Sequence, residues 1–269
     1  MNGPPPGPIR KLTARLARPI EYSLPIGSES WPLRDRIGQS IALEWLREIR
    51  CIHCDRPTRK SFNQGYCYPC FRSLARCDRC VTQPELCHYA RGTCREPAWG
   101  EQHCLIPHTV YLANASSLKV GVTRGLDPTA RWIDQGASQG LAIRIVPTRL
   151  DAGRVEVAFK RYVGDRTDWR RMLRGDPEPL DLARERDRLL EALAGEETPV
   201  EWPGRAAATA AQSLEYPVLA HPEKPVSIDL ERTGRVAGTL MGIKGQYLML
   251  DTGVINVRKY AGYVMSWAD

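Results

Sequence analysis

The chain has 269 residues, of which 42% are hydrophobic, and carries a formal net charge of +7. This length suits one large domain or two to three small ones, and the apolar content is sufficient for real cores. The sequence has no run of 18 uncharged apolar residues and no apolar segment near its start. We therefore expect no membrane-spanning helix, no secretory signal and a cytoplasmic protein, with nucleic acid as the partner that a basic balance favours.

The first 50 residues divide into an arm and a β region. Residues 1–18 are rich in Pro and Gly and then basic, which is typical of a flexible arm. Residues 19–50 alternate short apolar runs with turn-forming residues, which predicts strands. A short helix from Leu43 to Ile49 is the alternative for the end of this region.

Residues 51–107 are predicted to form a two-zinc cysteine domain, because all nine cysteines lie between Cys51 and Cys104. In a reducing compartment such clustering indicates metal binding, and an odd number of cysteines fits a disulfide framework poorly. The segment also has few long aliphatic residues. Metal must therefore replace much of the hydrophobic core that a domain of this size needs.

Two Cys-x2-Cys pairs predict a first structural zinc site of the zinc-ribbon type. Each pair places two thiolates on one metal, and two pairs complete a closed tetrahedral site. Its predicted ligands are Cys51, Cys54, Cys67 and Cys70. A metal that is fully coordinated by protein has no open position for substrate, so the site is expected to be structural.

The remaining five cysteines predict a second structural zinc whose ligand set stays open. The set we favour is Cys80, Cys87, Cys94 and Cys104. Cys77 is the alternative, since Cys77 and Cys80 also have the Cys-x2-Cys spacing. A histidine of the same segment is a further alternative for one of the four ligands.

The rest of the chain completes an α+β fold. Residues 108–174 show three strand patterns, a helix that begins at Asp127-Pro128 and a second helix for which Asp151 is a candidate cap, as in a compact α/β domain. Residues 175–224 predict a charged helix and a linker. Residues 225–269 predict short strands of a small C-terminal β barrel, which the N-terminal strands are candidates to complete.

The pattern Val110-Tyr111-Leu112, Lys119-Val120-Gly121, Arg131 and Glu156 resembles the GIY-YIG nuclease fold over residues 108–174. In that family a hairpin carries two sequence signatures, a helix then carries an arginine, and a later helix carries a metal-binding glutamate. The resemblance implies an Mg-dependent phosphodiesterase that acts on DNA or RNA. The catalytic residues it implies are Tyr111, Lys119, Gly121, Arg131 and Glu156.

The chemistry of phosphodiester cleavage suits these residue types. Glu156 would hold Mg, Arg131 would clamp the phosphate oxygens, and Tyr111 would act as base or orienting group. Lys119 stands where the second signature normally has a tyrosine, so binding without cleavage is the alternative. The expected nucleic-acid contacts are Lys119, Arg124, Arg131, Trp132 and Gln135, with Trp132 stacking on a base and Gln135 reading its edge.

A second resemblance is to a bacterial zinc-cysteine family of unknown function, through the strings Phe62 to Phe71, Leu118 to Arg124, Arg131 to Ala137 and Gly242 to Leu248. It implies no activity. Taken together, the sequence predicts a zinc-containing nucleic-acid-binding protein that is a candidate nuclease. The alternatives are a noncatalytic RNA-binding module, associated with tRNA or the ribosome, and a protein–protein adaptor.

Overall fold

The computed structural model describes residues 3–195, 203–207 and 210–268. Residues 1–2 of the predicted arm, and residues 196–202 and 208–209 of the predicted linker, lie outside the described residues. The strands, in chain order, are β1 (Gly7–Pro8), β2 (Thr13–Arg15), β3 (Glu21–Ile26), β4 (Glu29–Pro32), β5 (Ser40–Ile49), β6 (His108–Asn114), β7 (Leu118–Arg124), β8 (Gln139–Val146), β9 (Arg205–Ala206), β10 (Gln212–Ser213), β11 (Arg235–Lys244), β12 (Tyr247–Leu250), β13 (Gly253–Asn256) and β14 (Tyr263–Ala268).

The helices are short, and none of those in the described ranges has the length and apolarity that crossing a bilayer requires. In chain order they are α1 (Tyr68–Ser73), α2 (Pro97–His103), α3 (Thr129–Asp134), α4 (Arg149–Phe159), α5 (Trp169–Leu173), α6 (Leu182–Ala194) and α7 (Leu230–Thr233). The described residues form both helices and sheets, which confirms that the fold combines α and β structure.

The chain divides into two compact units, each with its own main sheet. The first unit comprises Met1–Arg72, Leu173–Gly175 and Glu215–Asp269, and the second comprises Ser73–Met172 and Asp176–Leu214. The cysteines are divided accordingly. The first four lie in the first unit and the last five in the second.

The first unit contains a six-stranded antiparallel sheet with the order β1-β14-β5-β11-β12-β13, and a three-stranded sheet with the order β2-β3-β4. Strands predicted in residues 19–50 are present as β3, β4 and β5. Because β5 continues to Ile49, the alternative of a helix from Leu43 is wrong. A bulge at Leu46–Glu48 separates the two parts of the β5–β14 pairing, in which Trp45 lies opposite Met265 and Ile49 opposite Tyr263.

The N-terminal segment is paired and buried, which corrects the prediction of a flexible arm for residues 7–15. β1 pairs with β14, and β2 pairs with β3. Ile9 and Leu12 are 2% and 0% exposed, and the Gln246 side chain hydrogen-bonds both backbone groups of Leu12. Apolar burial and satisfied backbone groups fix the segment, although its proline and glycine content is typical of a free one.

The predicted small barrel is wrong, because the six-stranded sheet stays open among the described residues. Its edge strands β1 and β13 have two and four residues, too few to close a barrel along their length. Their outer edges are occupied by other segments. Backbone bonds join residues 226–228 to Val254 on β13, and Gly27 N donates to Pro8 O on β1. Both edges of the six-stranded sheet are thus covered although the sheet does not close into a barrel.

The second unit contains an antiparallel sheet with the order β10-β8-β6-β7, and β9 pairs with β8. β6 and β7 form the predicted hairpin, in which Tyr111 lies opposite Gly121. Val110 and Leu112 belong to a buried cluster with apolar residues of α4 and α6. Since side chains alternate across a sheet, Tyr111 lies on the opposite face from these two residues.

Helix α4 begins at a cap that the sequence analysis did not identify. Thr148 Oγ1 accepts a hydrogen bond from Asp151 N at 3.2 Å and donates to Asp151 Oδ2 at 2.6 Å. Thr148 is therefore the N-cap, in place of the predicted Asp151, which closes the reciprocal capping pair from within the first turn. The cap sets the start of the helix that carries Glu156.

Candidate functional site

The four cysteines of the first unit converge on one point at the end of β5. The Sγ atoms of Cys51, Cys54, Cys67 and Cys70 all lie within 4.8 Å of one another, and the Cys54–Cys67 separation is 3.7 Å. Zinc–thiolate bonds of 2.3 Å in a tetrahedron place the sulfurs about 3.8 Å apart. The donor set and its spacing therefore fit a structural metal such as zinc.

Two tight backbone turns bring these sulfurs together. In the first, Asp55 N donates to Cys51 O at 2.9 Å, and Asp55 adopts a positive φ of 56°. The second turn is a hairpin in which Phe62 and Tyr66 exchange backbone hydrogen bonds, and it delivers Cys67 to the start of α1. Gly65 has a φ of 129°, and a Cβ there would meet Ile52 Cγ2 at 2.7 Å, so this turn requires glycine.

The local electrostatics favour a thiolate at Cys51. Burial opposes ionisation of this sulfur, but backbone N–H groups of Cys54, Cys67 and His53 donate to it and lower its pKa to about 6. Burial raises the pKa of Cys70. A cation among the four sulfurs would stabilise all of them as thiolates and so reverse the rise in the pKa of Cys70.

A second group of metal-binding side chains lies in the second unit. One cavity is lined by the predicted ligands Cys80, Cys87, Cys94 and Cys104, together with Asp78 and His88. Within this group, donor atoms of Asp78, Cys80 and His88 lie within 4.8 Å of one another. Cys77 is missing from the described residues that line the cavity. The sequence analysis did not identify Asp78, because a single aspartate outside any spacing motif carries no metal signal.

Asp78 and His88 also have protein partners. Asp78 Oδ2 lies 2.7 Å from Arg95 Nε and 3.6 Å from His88 Nε2. His88 Nδ1 lies 2.7 Å from Thr93 Oγ1. Burial, reinforced by Asp78 and Cys87, raises the pKa of Cys80 to about 12. Asp78, Cys80 and His88 are thus the donors of this cavity whose ligand atoms converge, whereas the sulfurs of Cys87, Cys94 and Cys104 line the cavity without joining a group of that closeness among the described residues.

Tyr111, on β6, is the central residue of a polar cluster in the second unit that also contains Lys119, Arg131 and Gln135 (the Tyr111 cluster). Its side chain is fully buried, and its hydroxyl accepts a hydrogen bond of 3.0 Å from Gln135 Nε2. Burial raises the pKa of Tyr111 to about 12, although Arg131 and Gln135 oppose this shift. A Cβ on Gly121 would lie 2.6 Å from the Tyr111 hydroxyl, so the glycine makes room for the ring on the neighbouring strand.

Lys119 is a buried cation beside this cluster. It is 4% exposed, and its Nζ donates to Thr167 Oγ1 at 2.9 Å. Burial, reinforced by the charge of Arg131 and opposed by Asp165 and Glu156, lowers the pKa of Lys119 to about 8. Thr167 lies 48 residues from Lys119 in a stretch without regular structure. Sequence reasoning had no signal for this contact.

Glu156 is buried on α4 and acts on Tyr111 and Lys119 through its charge. It is 7% exposed, and burial raises its pKa. Lys160 Nζ lies 3.3 Å from Glu156 and 3.0 Å from Asp165, so one ammonium group bridges the two carboxylates. The interaction of Glu156 with Lys160 is the i, i+4 ion pair of an ordinary helix.

The structure separates the predicted nucleic-acid contacts into three groups. Lys119, Arg131 and Gln135 belong to the Tyr111 cluster. Arg124 is exposed at the end of β7. Trp132 is 3% exposed, and a Cβ on Gly140 would lie 2.2 Å from its ring, so the indole is packed in the interior and not placed to stack on a base. A buried lysine beside an arginine suits the binding of an anion such as phosphate.

Comparison with known proteins gives one family. The family described as "Protein of unknown function (DUF2797)" matches residues 38–265. No curated protein and no solved structure matches the chain.

The first metal site predicts a specific effect of Cys54→Ser. Cys54 is the exposed member of the four ligands, so the substitution changes metal binding with little change in packing. We expect the purified protein to lose about one equivalent of zinc and on the order of 4 kcal/mol of stability. Elemental analysis under reducing conditions and thermal denaturation measure these two quantities.

His53→Ala is the matched control, because His53 is exposed beside Cys54 and is not one of the four donors. It should retain the zinc of the unaltered protein. If Cys54→Ser retained as much zinc as His53→Ala and the unaltered protein, the four sulfurs would not be the ligands of the metal.

Proposed function

The chain belongs to the DUF2797 family of proteins of unknown function, and we propose that it is a zinc-containing nucleic-acid-binding protein. In this proposal the half-buried Arg131 on α3 contacts the phosphates of the strand, and the buried Lys119 on β7 contributes its positive charge to the same site. A reducing cytoplasm, where thiols stay available to zinc, suits this function.

The observation that carries the proposal is that the buried cation Lys119 lies under the influence of a second, half-buried cation, Arg131. The charge of Arg131 adds to burial in disfavouring the charged form of Lys119. Lys160 meanwhile bridges Glu156 and Asp165 and so takes up much of their negative charge. A bound phosphate would relieve the repulsion between the two cations and accept hydrogen bonds from Arg131. The formal charge of +7 supports a polyanionic partner.

The order of elements supports the same proposal. A hairpin carries Tyr111 and Gly121, the next helix carries Arg131, and the helix after the third strand carries Glu156. This is the order in which the resemblance to the GIY-YIG nuclease fold assigns those residues.

We further propose a second structural zinc on Cys80, Cys87, Cys94 and Cys104. The four sulfurs line one cavity, in a segment made largely of short 3-10 turns with little regular structure of its own. Thiolates are the preferred ligands of structural zinc, which supports this set over the mixed group of Asp78, Cys80 and His88.

Zinc analysis of three variants tests the second site. The unaltered protein should contain about two equivalents. Cys87→Ser should remove about one of them, and His88→Ala and Cys77→Ser should remove none. Loss of zinc in His88→Ala but not in Cys87→Ser would assign the metal to the mixed set instead.

Binding of labelled DNA and RNA tests the nucleic-acid proposal. We expect Lys119→Gln and Arg131→Gln each to weaken binding by about tenfold, because each removes one positive charge from the phosphate site. Lys119 is a cation below its pKa of about 8. Affinity should therefore be full below that pH and fall by up to about tenfold between about pH 7 and pH 9. Fluorescence anisotropy at fixed salt measures both effects.

Lys224→Gln, which removes an exposed cation of the first unit, controls for net charge. It should leave both the affinity and its pH dependence nearly unchanged, whereas Lys119→Gln should abolish the pH dependence. If the unaltered protein binds no nucleic acid at physiological salt, the proposal fails, and the adaptor alternative with a protein partner takes its place.

Cleavage is a second candidate function, favoured by the presence of Tyr111, Arg131 and Glu156 around one cluster. The buried Glu156 carboxylate, with Asp165 nearby, is the oxygen donor set that Mg prefers. Bound there, Mg would supply charge stabilisation at the phosphate. Arg131 would hold the phosphate oxygens while a water oxygen bonds to phosphorus and the bond to the leaving oxygen breaks. Lys160 would have to release Glu156 first.

A nuclease assay with Mg or Mn on the same substrates tests this candidate. Mg-dependent products that disappear in Glu156→Gln, and persist in the control Glu185→Gln on α6, are expected of a nuclease. Binding without products in the unaltered protein would identify a noncatalytic recognition module.

A further inference from the structure

The zinc-binding segment of the first unit is strongly basic. Residues 50–72 contain Arg50, Arg56, Arg59, Lys60 and Arg72 but one carboxylate, that of Asp55. Asp55 pairs with Arg50, which also pairs with Glu48. The remaining cations of the segment are exposed. The surface around the first metal site is therefore positive.

An open groove runs beside this segment. It is lined by Trp45, Arg47, Glu48, Ile49, Pro57, Thr58 and Arg59. The bulge in β5 shapes one wall, because Arg47 adopts a positive φ of 61° there and its guanidinium lies 4.9 Å from the centre of the Trp45 ring. Non-glycine residues avoid this conformation, and a bulge is a common device for redirecting a side chain. The groove thus combines a half-buried indole with two arginines.

Half-buried phenylalanine rings and the exposed Tyr68 continue the surface along the chain. Lys60 Nζ lies 5.5 Å from the centre of the Phe62 ring, and that ring lies 5.4 Å from Tyr68. Phe62 also stacks on Phe71 at 5.7 Å, which holds it in place. Tyr68 is 54% exposed. A tyrosine this exposed, supported from behind by a packed ring, presents a fixed face to solvent.

From these features we infer that an aromatic–basic strip, formed by Trp45, Arg47, Arg59, Lys60, Phe62 and Tyr68, binds single-stranded nucleic acid. Arg47, Arg59 and Lys60 contact the phosphates, and Tyr68 stacks on a base. Trp45 packs against Tyr263 at 5.1 Å and supports the Arg47 guanidinium from below. This inference rests on the proposed nucleic-acid function and adds a binding surface in the first unit. It also specifies that the nucleic acid is single-stranded.

The preference for a single strand follows from the rings. Stacking on a side chain needs the face of a base, and a duplex hides these faces within its own stack. Alternation of cations and aromatic rings is the arrangement that tracks a backbone and its unstacked bases together. An acidic peptide would satisfy the cations but would leave the exposed Tyr68 ring without a base to stack on.

Anisotropy with short labelled oligonucleotides tests the strip in the full zinc-loaded chain. Tyr68→Ala should weaken binding of single strands by about tenfold, and Tyr68→Phe should restore it. Arg59→Gln with Lys60→Gln should weaken binding and lower the slope of log affinity against log salt by about 1.4, since each single-strand phosphate contact contributes about 0.7. Tyr68→Ala should leave that slope unchanged.

Arg18→Gln with Lys224→Gln, two exposed cations of the same unit outside the strip, is the matched control and should bind almost as the unaltered chain does. Zinc content and circular dichroism establish that each variant is folded. The same assay with DNA and with RNA single strands of one sequence shows which of the two sugars is preferred. Duplexes of each should bind more weakly than the single strands.

Two outcomes overturn the strip while leaving the proposed function intact. One is unchanged binding in the strip variants together with loss in Lys119→Gln and Arg131→Gln. The other is a duplex bound more tightly than its single strands. Failure of the unaltered chain to bind any nucleic acid removes the proposed function itself, and the strip with it.

Discussion

Four sulfur atoms held within 4.8 Å of one another are the constraint on which the surface of the first unit depends. Residues 51–72 have few buried aliphatic side chains, so coordination must replace hydrophobic burial as the source of local stability. Without a cation, four thiolates at this spacing would repel one another and oppose the backbone bonds of the two turns, including the bond from Ile52 N to Gly65 O that joins them. A metal on the four sulfurs would fix both turns and the start of α1.

The aromatic–basic strip inherits its geometry from that constraint. Tyr68 stands between the ligands Cys67 and Cys70 in the sequence, at the start of α1. Its ring can be exposed and yet fixed because its backbone is held by a ligand on either side. Arg59 and Lys60 lie between the two cysteine pairs, in the loop that both turns anchor. In the proposed function, metal binding and strand binding would therefore be coupled through the backbone.

Local patterns predicted those parts of the molecule that short-range physics determines. The Cys-x2-Cys spacing identified the first metal site, because each turn is closed by backbone bonds within the motif. Period-2 patterns identified the strands of the β6–β7 hairpin. The predicted companions of Tyr111 are found around it because the hairpin register brings Gly121 opposite and the following helix brings Arg131 near.

Features that depend on distant residues escaped prediction. The order of residues 7–15 comes from pairing with β14 and from Gln246, more than 200 positions away. The open sheet follows from segments that cover its edges, and no strand pattern encodes that. Trp132 could be interpreted as a stacking residue only until the sheet was seen to bring Gly140 against its ring. The contact between Lys119 and Thr167 is likewise made by chain folding alone.

The charge balance of the second unit's polar cluster bears on the choice between recognition and cleavage. A metal-dependent nuclease needs a carboxylate that is free to bind the ion and a group that can accept a proton from the attacking oxygen. Here Lys160 occupies Glu156, and Lys119 stands in place of the expected tyrosine. Lys119 below its pKa is a cation that attracts phosphate, and above it an amine that can accept a proton. The features that strengthen binding near neutral pH are thus those that weaken catalysis, which makes recognition the function that the described residues support most directly.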